Sequence, residues 1–86
     1  MEILNIRPAP EGAGGRTVAH FDVQLTPEAR LFNLRLVETP DGRRLVYAPN
    51  AFGERAATFS PTLSNELARA AGAALGAVNA TNRRNN

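Results

Sequence analysis

The chain has 86 residues and a formal net charge of +2, which is enough for one domain. A domain of this size buries only about 60% of its unfolded surface. With no cysteine, it has neither a disulfide nor a thiolate–metal site to reinforce it.

No apolar run approaches the ~18 residues of a membrane span. The start, MEILNIRPAP, lacks the basic segment and long apolar core of a signal peptide. A soluble cytoplasmic protein, without membrane association, is the expectation. All ten basic residues are arginine, so the sequence pI of about 10.4 overstates the field of a chain carrying only +2. Arginine suits planar, bidentate contacts with carboxylate or phosphate.

Residues 1–7 read as a short strand closed by Pro8. Residues 8–15 hold three glycines and two prolines and read as a loop. This loop lacks the lysine and the strand–loop–helix setting of a phosphate-binding loop. Residues 16–25 alternate cleanly. Thr17, Ala19, Phe21, Val23 and Leu25 fall on a core face; Val18, His20, Asp22 and Gln24 fall on the other. Thr26-Pro27-Glu28-Ala29 reads as a tight turn.

Residues 31–49 form the clearest unit, a β-hairpin. Phe32, Leu34 and Leu36 alternate with Asn33 and Arg35. Thr39-Pro40-Asp41-Gly42 supplies a type I turn followed by a glycine bulge. Residues 43–48 return, and Pro49 ends the strand by removing a donor. Residues 50–54 read as a loop and 55–59 as a short final strand.

Ser60-Pro61 marks a helix start, with serine as N-cap and proline at the first helical position. Leu63, Leu67, Ala70 or Ala71, Ala74 and Val78 recur at helical spacing, and Glu66 and Arg69 are spaced to pair. Asn79-Ala80-Thr81-Asn82 is expected to end the helix. The division expected is one domain over residues 1–80 and a flexible polar tail over 81–86.

The fold class expected is α+β: an antiparallel β-meander of four to five strands followed by one C-terminal helix. The helix is rich in small residues and gives thin cover, and the sheet edges are open. A homodimer that continues the sheet or packs sheet on helix would supply the missing burial.

Several residues in this order resemble one family. They are I-x-x-I-R-P at 3–8, the alternating strand at 17–25, L-x-x-L-R-L-V at 31–37, D-G at 41–42, V-Y-A-P at 46–49, G-E-R at 53–55 and the proline-led helix after Ser60. Together they resemble the SpoVG family, the stage V sporulation protein G proteins, over roughly residues 1–75. The resemblance implies a dimeric regulatory protein that binds DNA or RNA. The chain departs from the family just after Pro49. Members typically carry basic residues there, whereas Asn50-Ala51-Phe52 is uncharged and only Arg55 has a plausible counterpart.

Clustered cations contact phosphate by releasing counterions. Arg35, Arg43, Arg44, Arg55, Arg83 and Arg84 are therefore the candidate nucleic-acid contacts, with Arg16 as a further cation. The plainer reading is a solvated strand end in which Arg35 or Arg43 pairs with Glu38 or Asp41. Tyr47 and Phe52 are the aromatics nearest the basic residues. His20, Asp22 and Gln24 share a strand face, but they lack the nucleophile and oxyanion stabiliser that catalysis needs. A single histidine also excludes the common multi-histidine zinc sites. No enzyme activity, cofactor or metal is expected. The alternative to nucleic-acid binding is a non-catalytic protein-interaction or structural dimer, and no protein partner can be named from the sequence. The Ala68, Gly72 and Gly76 ridge offers close approach to the sheet or to a partner helix.

Overall fold

The computed structural model describes residues 1–9, 16–51 and 53–84. Strands β1 (Glu2–Pro8), β2 (Thr17–Thr26), β3 (Ala29–Glu38) and β4 (Arg44–Tyr47) form one antiparallel meander in the order β1-β2-β3-β4. A helix, α1 (Pro61–Arg84), follows and packs against β1 and β4. This is the α+β class that the patterning predicts. No described helix is long and apolar enough to cross a membrane.

The turns follow their local chemistry. Gly42 takes a φ of 88°, and its N–H donates to Thr39 O at 3.0 Å, while Thr39 N–H donates to Arg43 O at 2.7 Å. This is the expected type I turn with a glycine bulge. Between β2 and β3, Thr26 and Ala29 pair directly, and Thr26 Oγ1 accepts the Glu28 N–H at 3.2 Å.

The segment after β4 departs from expectation. Asn50–Ala51 (β5) and Glu54–Arg55 (β6) form a small two-stranded hairpin, with Gly53 at a φ of 78°. The predicted final strand over 55–59 therefore ends at Arg55, because Arg55 pairs locally with Asn50 rather than with the main sheet.

The core is the alternating face of the strands closed by one helical stripe. Phe21, Val23, Leu34, Leu36 and Leu67 are its largest fully buried side chains, with Ala19, Val46, Ala48, Ala68, Ala71 and Leu75 beside them. The helical stripe runs through Leu67, Ala71 and Leu75, one residue round from the expected Ala74, which is half-buried. Ser60 caps the helix as predicted: its Oγ accepts the Leu63 N–H at 3.2 Å. At the other end the helix continues to Arg84, past the expected stop at 79–82. No proline or glycine interrupts that stretch, and asparagine and threonine weaken a helix without breaking it. The glycine-rich loop lies largely outside the described residues, as does Phe52.

Phe32 does not share a face with Leu34 and Leu36 as the alternation predicts. Val23 pairs with Leu31 and Phe21 with Leu34, so both Phe32 and Asn33 stand opposite Asp22. This is a β-bulge, and Asn33 adopts a φ of 57° within it. The bulge resets the pleat. Leu31 takes the inward position, and Phe32 turns outward with 60% of its surface exposed.

Candidate nucleic-acid interface

The helix packs on one face of the sheet. On the other face, the strand register aligns four side chains in one row. Arg7 on β1 stands opposite His20 on β2, His20 opposite Arg35 on β3, and Arg35 opposite Tyr47 on β4. Opposed residues lie about 5 Å apart at Cβ, so the row runs across the full width of the sheet. Both arginines are exposed, and His20 and Tyr47 are half-buried. The Arg35 guanidinium carbon lies 5.8 Å from the centroid of the Tyr47 ring, within cation–π range.

Beside this row, Asp22 secures the bulge. Its Oδ1 accepts the Asn33 backbone N–H at 2.8 Å. The Arg7 guanidinium donates to its two oxygens at 3.2 and 3.3 Å. The Arg7 hydrogen bonds, with the Asn33 N–H second, hold the Asp22 carboxyl below the usual carboxylate range against a partial opposing effect of burial. The carboxylate is thus engaged with Arg7 and the bulge. Phe32, turned outward by that bulge, adds an exposed aromatic ring to the same face.

The six predicted arginines do not form one cluster. Arg35 lies in the row. Arg43 immediately precedes β4, two and four residues from Leu45 and Tyr47, and so shares their side of the strand. It is exposed, and its Nε is 3.1 Å from Asp41. The Asp41 carboxyl is held low mainly by a hydrogen bond from the Thr39 hydroxyl, and Arg43 adds to the effect.

Arg44 lies on the helix side. Its Nε is 3.6 Å from Glu38, and its Nη1 reaches Gly72 so closely that a Cβ there would come within 2.8 Å. Gly72 therefore makes room for an arginine side chain rather than for another backbone. Arg55 belongs to the β5–β6 hairpin, and Arg83 and Arg84 end α1; the side chains of these three lie outside the described residues. Arg16 precedes β2 and is exposed. Glu66 and Arg69 form no ion pair, although both are exposed.

Arg7, His20 and Phe32 were missed as companions of Arg35. The alternation puts His20 on the outward face, but only the strand register brings Arg7 beside it. Among the described residues, no three histidine, cysteine, aspartate or glutamate side chains converge as a metal ion would need. Compared with protein-family models, curated proteins and solved structures, the chain matches none of them.

Proposed function

We propose that this is a non-catalytic nucleic-acid-binding protein, and that the open face of its sheet is the contact surface. The observation that carries the reading is the Arg7–His20–Arg35–Tyr47 row, flanked by Arg43 and the exposed ring of Phe32. Single-stranded nucleic acid is held by cations that track the backbone and by aromatic rings on which bases stack. A sheet face offering both suits a single strand better than a duplex, whose bases are already stacked. The resemblance to SpoVG proteins points to the same class of ligand.

Fluorescence anisotropy with labelled single- and double-stranded DNA and RNA, across a salt series, tests this. Single strands are expected to bind more tightly, with affinity falling as salt rises. Arg35→Ala is expected to weaken binding several-fold and to lower the salt slope by about one. No binding at low salt would overturn the reading.

The exposure of Phe32 and of Leu4, at 60% and 43%, favours one other reading, a homodimer closed through apolar surface. Sedimentation distinguishes it: a dimer dispersed by Phe32→Ser, in a chain that ignores nucleic acid, supports the structural-dimer alternative.

A further inference from the structure

The free edge of β4 opens onto a groove of about 400 Å³. Residues Leu45, Val46, Tyr47 and Ala48 form one wall, and Ala57, Thr58 and Phe59 form the other. The backbone pattern shows what the groove presents. Thr39 N–H bonds Arg43 O, and antiparallel pairing alternates along a strand. The N–H and C=O groups of Leu45 and Tyr47 therefore point to β3, while those of Arg44 and Val46 point outward. Among the described residues, no hydrogen bond takes up the outward pair of Val46. Val46 as a whole is 5% exposed, so the strand holds this edge in a fixed position.

Arg43 is the charged residue that lines the groove, and no aspartate or glutamate does; its Nε is held by Asp41, which leaves its terminal nitrogens to meet a carboxylate. Pro61, Ser64 and Asn65, from the start of α1, close it. The first turn of that helix carries no acidic residue, so its positive dipole end is not neutralised locally.

We infer that the β4 edge is a docking site for an extended acidic peptide segment of another protein, which pairs with Val46 as an added strand. Backbone pairing along an open edge, with side chains seated in an adjoining groove, is a general mode of peptide recognition. A second copy of this chain fits less well at this edge. Its β4 would bring Arg43 and Arg44 against the Arg43 that lines the groove, and no carboxylate of the groove lining would receive them. The site adjoins the Arg7–Tyr47 row, since Tyr47 and Arg43 also line the groove, but it uses the backbone edge rather than the open face.

Labelled strand-length peptides of alternating valine and threonine, ended by aspartates or by lysines, test the inference on the intact chain. The aspartate peptide is expected to bind about fivefold more tightly, the scale of one exposed charge contact plus one helix-end contact. N-methylation of alternate peptide nitrogens on the β4-facing side is expected to abolish binding, while methylation of the intervening nitrogens leaves it intact. Hydrogen exchange at the Val46 amide is expected to slow when the aspartate peptide binds. Equal affinity for the two peptides, or indifference to N-methylation, would overturn the inference. So would a dimer whose Val46 amide is protected without peptide, or an oligonucleotide that protects that amide.

Discussion

Asp22 joins three strands at a point where the pleat is broken. Its carboxylate takes the Asn33 N–H that the bulge turns toward it, and it binds Arg7 from β1. Asparagine is among the few residues that adopt positive φ at modest cost, which suits position 33 to that role. The folded-state pKa of Asp22 is lowered from its ordinary value of 3.8. The sign of the linkage follows. Unfolding raises the pKa, so the unfolded chain binds more protons in the acid range. Asp22 contributes its full stability above the ordinary value, and the contribution is lost as pH falls through the lowered folded value. Asp22→Asn is expected to cost about 1–2 kcal/mol near neutrality. It is also expected to flatten the acid limb of the stability curve below about pH 4. Urea denaturation between acid and neutral pH checks both.

At the scale of elements, the helix is held by a narrow stripe and weakened by two glycines that do different things. Gly76 is exposed, and a Cβ there meets nothing within 4 Å. Gly76→Ala is expected to stabilise by about 0.5–1 kcal/mol, the difference in helix propensity. At Gly72 a Cβ meets the far end of the Arg44 side chain. That side chain is flexible and swings aside at the expense of its Glu38 contact, so Gly72→Ala is expected to gain less. Chemical denaturation of the two variants should rank them in that order. The small-residue ridge visible in the sequence thus divides by position, one glycine accommodating an arginine and the other facing open space. The helix start was legible from Ser60-Pro61 alone, because capping is a local interaction. The inward residues were legible only approximately, because the sheet decides which side of the helix is covered.

At the scale of the molecule, one layer of helix closes one face of one sheet. Leu67 stands at their junction, fully buried among Phe21, Leu34 and Leu36. Leu67→Ala is expected to cost about 2–5 kcal/mol, a large share of the stability of so small a domain. Circular dichroism on heating should show the whole fold melting earlier, in one transition. The same economy of layers leaves the second sheet face and the β4 edge uncovered by any other described element. These are the surfaces on which the functional proposals rest.

The four main strands, the turn at Thr39–Gly42, the helix start and most of the core are legible from neighbouring residues alone. Each depends on a period of two, on turn chemistry or on a cap, and all of these act over a few neighbouring residues. Long-range strand pairing sets the rest: Phe32 points outward, Arg35 joins Arg7 and His20, and Arg44 leaves them for the helix face. Those outcomes depend on how distant strands register against one another. A bulge held by Asp22 shifts that register by one residue, and one residue is enough to move a side chain from one face of a sheet to the other.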